Sequence, residues 1–335
     1  MKKNYAVSYL KCIAIILVLI THSISPTSEQ RIGGPFWIAM AVPIFLIISG
    51  FNFTASCENK KIFATREWFR HNNLLPKLKR ILLPYSAVYV LEIFLIYISK
   101  KLELTKGIMI FNYVTGGFGP GSYYIPILIQ FLLLFPFILM GFKSKAKLTF
   151  SILLVINIAF DMESTYLSGY AYTASLYRLM IFRYFGFIIS GVILYYYQKR
   201  VKTRAMIICL FIGFVYILFK NYLGMKPIVF TLWPTTSLPT VLWVFPIVFW
   251  SLKYLNIHPK NQIMHVYEYC GDASYHIFLT QMVYYCGMGK IVIQSTNELV
   301  GTILNVIICL SAGCLFYFIE NKFWNFKKLN ILKNE

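Results

Sequence analysis

Apolar runs of about 20 residues recur from one end of the chain to the other, and they restrict its fold more than any other feature. A helix of that length crosses the hydrocarbon core of a bilayer. We count ten such runs, so the sequence predicts an all-α, polytopic membrane helix bundle that forms a single domain over residues 1–335. The predicted spans are 5–25, 36–56, 80–98, 122–141, 147–162, 178–197, 205–222, 237–254, 274–293 and 299–319.

The distribution of charge gives this count an orientation. A formal net charge of +20 would suit a nucleic-acid-binding protein, but the basic residues form short clusters between apolar runs, as in loops that face anionic lipid. With the N-terminus in the cytoplasm, 22 of the 32 basic residues fall on the inner side and 8 on the outer side. The sequence therefore predicts a multi-pass protein of the cell membrane, with both termini cytoplasmic and no nucleic-acid partner.

Two basic segments lie outside the predicted spans. Residues 57–80 form the most basic inner segment, and residues 320–335 form a short basic tail. Apolar residues alternate with arginines in the first segment, which predicts a helix lying on the cytoplasmic membrane surface. The apolar residues of that pattern are Ile62, Phe63, Trp68 and Phe69.

Two ionisable residues lie on one face of the first span. Lys11 and His22 are eleven residues apart, almost a whole number of helical turns, and about 16 Å apart along the axis. Ionisable groups inside a bilayer are costly, so we expect a functional pair that faces the bundle interior. The alternative is a lysine that reaches the membrane surface and a histidine at the interface.

Further polar residues mark the second and third spans. Ser49-Gly50 would let a ligand or a neighbouring helix approach the backbone closely. Lys77 and Arg80 share a helical face at the start of span 3, where they either clamp a phosphorylated ligand or set topology. Glu92 is either a proton acceptor or the partner of a cation. The seven cysteines show no metal-binding spacing, and we predict no metal site.

Taken together, these residues resemble the acyltransferase 3 family of integral-membrane acyltransferases, over essentially the whole chain. Three departures stand out: Gln281 replaces a histidine found in many members, lysines replace arginines at 11 and 77, and tyrosine replaces tryptophan in span 4. Whether His276 takes the place of the missing histidine is open at this stage. The resemblance rests on Lys11 with His22, Pro43-Ile44-Phe45 with Ser49-Gly50-Phe51, Lys77-x-x-Arg80 with Leu83-Pro84-Tyr85, Ser122-Tyr123-Tyr124 with Leu128 and Gln130, and Ser274-Tyr275 with Phe278-Leu279.

The resemblance implies transfer of an acyl group, most often acetyl, from cytoplasmic acyl-CoA to a hydroxyl of a sugar in a cell-surface or lipid-linked glycan. Acyl-CoA would be a substrate, with no permanently bound cofactor. His22 would act as general base or as transient acyl carrier. The residues expected to bind acyl-CoA are Lys11, Ser49, Gly50, Lys77 and Arg80. Those expected on the acceptor side or in support are Glu92, Tyr123, Tyr124, Arg183, His276 and Gln281.

A second interpretation stays open. Buried polar groups also suit a non-catalytic transporter or flippase of a glycan intermediate. The sequence identifies neither the acceptor sugar, nor the acyl chain, nor the oligomeric state.

Overall fold

The computed structural model describes residues 3–62, 64–100, 102–166, 177–225 and 236–333. Within these ranges the protein is 82% helical and contains no strand, which confirms the predicted all-helical fold. The helices are α1 (Tyr5–Thr21), α2 (Pro26–Arg31), α3 (Gly34–Trp37), α4 (Ala41–Asn59), α5 (Thr65–Trp68), α6 (His71–Ser99), α7 (Lys106–Thr115), α8 (Tyr124–Tyr166), α9 (Phe185–Tyr197), α10 (Thr203–Asn221), α11 (Val241–Tyr254), α12 (Gln262–Asp272), α13 (Ser274–Gly287), α14 (Gly289–Ser295) and α15 (Glu298–Lys333).

Among the described residues, five helices are long and apolar enough to cross a membrane. Their outer faces carry large apolar side chains: Phe94 is 58% exposed and Phe211 is 67% exposed. Exposed apolar surface on this scale is suited to lipid rather than water. The five candidates are Gly34–Asn59, His71–Ser99, Tyr124–Met162, Thr203–Asn221 and Glu298–Trp324, and the shorter apolar helices are Tyr5–Thr21, Ile181–Tyr197 and Leu238–Tyr254.

All ten predicted spans coincide with apolar helices, but the number of crossings and the side of each terminus stay predictions. Spans 4 and 5 form the two arms of α8, whose backbone leaves helical geometry at Lys145. A Cβ built on Gly141 would lie 2.9 Å from the hydroxyl of Thr149. In a straight helix these two residues would be about 12 Å apart, so the chain reverses direction at Lys145.

Residues 57–80 differ from the predicted surface helix. Helix α5 has only four residues, and α6 already begins at His71, so Lys77 and Arg80 lie inside a long helix. Ile62 and Trp68 are both buried in the protein. The indole N–H of Trp68 donates to the Leu132 carbonyl of α8 at 2.9 Å. The alternation of apolar and basic residues predicts a helix on the membrane surface, but two of its apolar residues belong to the protein core. Position 63 lies outside the described residues.

Helix α1 lies in the middle of the bundle, where α4, α11, α12, α13 and α15 pack against it. The buried apolar side chains form two clusters. One cluster centres on α4, α8 and α9, and the other on α1, α6 and α13. The large cavity described below is bordered by residues of both clusters.

Candidate active site

A cavity of about 920 Å³ runs through the bundle beside α1. Its wall includes Lys11, Lys77 and Arg80, which we call the basic end, and His22, which defines the histidine end. Helices α4, α8 and α13 supply the wall between them, together with the glycine-rich loop 116–122. One continuous space therefore joins the predicted phosphate-binding residues to the predicted catalytic histidine.

His22 caps the C-terminus of α1, and its backbone N–H donates to the Val18 carbonyl at 3.3 Å. Its imidazole ring packs edge-on against the ring of Tyr285, with 6.1 Å between centroids. The Tyr285 hydroxyl is itself hydrogen-bonded to Ser23. Neither ring nitrogen of His22 has a hydrogen-bond partner within the described ranges, so the imidazole is fixed by packing and can exchange a proton with a molecule in the cavity.

The side chain of Lys77 is held at the basic end by two contacts. Its ammonium group donates to the Asn73 carbonyl at 3.0 Å and lies 4.4 Å from the ring centroid of Trp68. Arg80, one turn further along α6, is exposed. Lys11 of α1 is within electrostatic range of Arg80. Three cations on two helices therefore converge on one end of the cavity.

Ser49 and Gly50, both predicted to contact acyl-CoA, lie on different sides of α4. Ser49 lines the cavity, as does Tyr124. Gly50 is outside the cavity wall, because it packs directly against the backbone of α9 at Ile188 and Gly191. The structure thus assigns Gly50 to close helix packing, the second of the two roles considered for it.

Glu92 and Gln281 also lie outside the wall, and both bind the loop 116–122. The carboxylate of Glu92 accepts the backbone N–H groups of Phe118 and Gly119, each at 3.0 Å. The amide of Gln281 donates to the Pro120 carbonyl at 3.1 Å. Glu92 is therefore bound by two backbone amides and, at 3.8 Å, by the Cys286 thiol, and it pairs with no cation of the described residues. Its role as a proton acceptor stays a prediction.

Arg183 contacts the cavity wall indirectly. Its guanidinium donates to the Thr236 hydroxyl at 2.6 Å, and Thr236 lines the cavity. The same group lies 4.2 Å from the ring centroid of Tyr177. Arg183 thus supports the wall from behind, while Tyr123 is part of the wall itself.

His276 is not part of the cavity wall. Its ring is hydrogen-bonded to Glu320 of α15 and packs edge-on against Phe316 and Tyr317. The neighbouring residues Ser274 and Tyr275 do line the cavity. His276 therefore does not occupy the place of a second cavity histidine.

Several polar residues of the cavity wall were not among the predicted site residues. Asp272 lies at the basic end, where its carboxylate accepts from Ser8 at 2.7 Å. Glu29 of α2 and Asn112 of α7 line the wall, and burial raises the pKa of the Glu29 carboxyl. Tyr275 donates its hydroxyl proton to the Ile81 carbonyl at 2.9 Å. Tyr275 belongs to the Ser274-Tyr275 motif but was given no role of its own. Asp272, Glu29 and Asn112 belong to no short motif, and Glu29 and Asn112 lie on short helices outside the predicted spans, so no local signal distinguished them.

The fold and the cavity define the class of the protein: a multi-pass membrane helix bundle with a cationic site and a histidine at separate ends of one internal cavity. The chain belongs to the acyltransferase 3 family, whose family model, described as an acyltransferase domain, matches residues 4–319. The predicted family membership is therefore confirmed, and with it a membrane acyltransferase in general. Searches among curated proteins and among solved structures returned no match.

Proposed function

We propose that this protein transfers an acetyl group from cytoplasmic acetyl-CoA to a hydroxyl of a sugar in a cell-surface or lipid-linked glycan. The observation that carries the proposal is the continuity of the cavity between its basic end and His22. In this proposal both termini lie in the cytoplasm of the cell, and the basic end opens on the same side.

The basic end is suited to the phosphates of coenzyme A. Lys77, Arg80 and Lys11 provide three positive charges, and a guanidinium can bind phosphate in a bidentate manner. The pantetheine arm would then extend along α1 past Ser49 and Tyr124. This path brings the thioester to the histidine end, where the acceptor would approach from the outside.

His22 would supply the acid–base chemistry. As general base, a ring nitrogen removes the proton of the sugar hydroxyl while its oxygen attacks the thioester carbonyl. The C–S bond then breaks, and the coenzyme A thiolate takes up that proton. The alternative is a two-step route in which the imidazole itself accepts the acyl group before the sugar does. Both routes need an accessible ring nitrogen, and no described residue is hydrogen-bonded to the His22 ring.

The test replaces His22 by Ala and measures glycan acetylation together with the amount of protein in the membrane. We expect transfer to fall by about 10²- to 10⁴-fold, as for loss of a general base, at an unchanged protein level. His71→Ala is the matched control, because His71 is exposed at the start of α6 and lies outside the cavity wall. Normal transfer by His22→Ala protein would refute the mechanism.

Release of free thiol from acetyl-CoA separates the proposal from the transporter interpretation. A purified acetyltransferase releases coenzyme A when an acceptor is supplied, whereas a transporter or flippase releases none. Release that depends on His22 supports the enzyme.

A further inference from the structure

The loop 116–122 forms part of the cavity wall, and it is fixed by contacts on the side away from the cavity. Gly117, Gly119, Pro120 and the residues that follow them line the cavity. Behind the loop, the Glu92 carboxylate accepts the N–H groups of Phe118 and Gly119, each at 3.0 Å. The loop backbone is thus attached to α6 at two consecutive peptide groups.

Three further contacts define the position of the same loop. A Cβ built on Gly119 would lie 2.6 Å from the Met282 Cα, so the loop backbone lies directly against α13. The ring of Phe118 stacks on Tyr89, with 5.8 Å between centroids and 5° between planes. Gly117 has a φ of +113°, which favours glycine. The loop is therefore held between α6 and α13.

The burial of an acidic side chain behind the loop indicates a role beyond packing. Glu92 is fully buried in an apolar helix, where an acidic residue is strongly disfavoured unless its oxygens are satisfied. Both carboxyl oxygens of Glu92 accept a backbone N–H group of the loop, so directional hydrogen bonds compensate the burial of this side chain. These two bonds fix the loop backbone relative to α6.

We propose that Glu92 is a positioning residue for the acceptor. Through Phe118 and Gly119 it sets the loop wall against which the acceptor hydroxyl is held near His22. The inference rests on the proposed function, but it concerns only the acceptor side. The basic end of the cavity, where acetyl-CoA would bind, is formed by other residues.

The first measurement follows the clamp directly, by hydrogen–deuterium exchange of the full-length protein in nanodiscs. Glu92→Gln loses one of the two acceptor oxygens and places an N–H₂ group against a backbone donor. We expect the amides of segment 116–122 to exchange about tenfold faster. Glu103→Gln is the matched control, since Glu103 is an exposed carboxylate in the segment after α6.

The second measurement is the fate of labelled acetyl groups from acetyl-CoA, with membranes that contain the native glycan as acceptor. The ratio of glycan-bound acetyl to free acetate does not depend on how much protein is active. A displaced wall misplaces the sugar hydroxyl and lets water compete, so we expect this ratio to fall about tenfold in Glu92→Gln. The Kd for acetyl-CoA should be unchanged.

A second variant covers the case in which Glu92→Gln protein does not fold. Gln281→Leu removes the donor to the Pro120 carbonyl and also removes a buried amide oxygen that has no partner among the described residues. It should therefore fold, with faster exchange in segment 116–122 and a lower transfer ratio. Glu92→Asp retains the charge and should recover part of both effects.

The inference would be overturned if segment 116–122 of the Glu92→Gln protein exchanged hydrogen for deuterium at the wild-type rate. A wild-type ratio of glycan-bound acetyl to free acetate in that protein would overturn it as well. If the wild-type protein releases no thiol from acetyl-CoA, the proposed function fails, and the exchange measurement still decides whether Glu92 holds the loop.

Discussion

Replacing the cations of the basic end should weaken acetyl-CoA binding by amounts that follow their burial. Lys77 is half-buried and already fixed by the Asn73 carbonyl and the Trp68 ring, so little side-chain entropy is lost when phosphate binds. A charge-assisted hydrogen bond in such a place contributes about 2 kcal/mol. Lys77→Met, which retains the apolar contact with Trp68, should therefore raise the Kd about 30-fold.

Arg80 is exposed, and its interaction with phosphate is more strongly screened by solvent. Arg80→Met should raise the Kd about fivefold at low salt. The deficit should shrink in 1 M salt, where the Debye length falls to about 3 Å and the wild-type protein also binds more weakly. The deficit of Lys77→Met should shrink less, because its site is partly shielded from solvent.

The assay is calorimetric titration of acetyl-CoA into protein in nanodiscs at low and high salt. Lys79→Met is the control: Lys79 lies between the two residues on the same helix, but it is exposed and outside the cavity wall. An equal loss of affinity in all three variants would reduce the effect to net charge and refute the clamp. Unchanged affinity in Lys77→Met would place the phosphates elsewhere.

Three further predictions concern single side chains. Gly50→Val should lower the thermal stability of the protein, because the new side chain would collide with the Ile188 carbonyl, at a cost of about 1–3 kcal/mol, measured by a thermal shift. Trp68→Phe should raise the Kd for acetyl-CoA two- to fivefold, and this effect should disappear in a Lys77→Met background. The raised pKa of Glu29 means that the folded protein binds a proton at this carboxyl more readily than the unfolded chain does. The wild-type protein should therefore gain stability as the pH falls through the folded-state pKa of Glu29. Thermal-shift scans across pH should show this gain in the wild-type protein and not in Glu29→Gln.

Sequence periodicity predicted those features of the site that lie on a single helix. Lys11 and His22 belong to α1, and Lys77 and Arg80 belong to α6, so helical geometry alone places each pair on one face. The apolar runs likewise predicted the helical fold. These features depend on short stretches of chain, and the structure places all four residues in the wall of one cavity.

Features that depend on a second element could not be predicted in this way. Ser49 and Gly50 are adjacent, and only the position of α9 separates a cavity residue from a packing residue. The same holds for Glu92, whose partners lie 26 and 27 residues further along the chain. An acidic residue in an apolar span indicates that its side chain has a polar partner. Hydropathy does not show that this partner is the backbone of a loop.

His276 shows how a motif can mislead about its neighbour. A histidine in a late span next to a recognised motif invites a catalytic role, but its neighbours Ser274 and Tyr275 face the cavity while its own ring turns to Glu320. On a helix, consecutive residues point about 100° apart, so a motif that faces the cavity does not orient the adjacent histidine towards it. The cavity wall therefore contains His22 and no other histidine within the described part of the chain.

The two ends of the cavity have a further consequence for the donor. Lys11 and His22 belong to one continuous element, so their axial separation is fixed at about 16 Å. A donor anchored by its phosphates at the basic end reaches the imidazole only if a long arm carries its acyl group. Acyl-CoA, the donor in the proposed function, has such an arm. Acetyl phosphate does not, because its phosphate and acyl group are joined directly. In the proposed function, a rigid α1 would therefore select the donor by length as well as by charge.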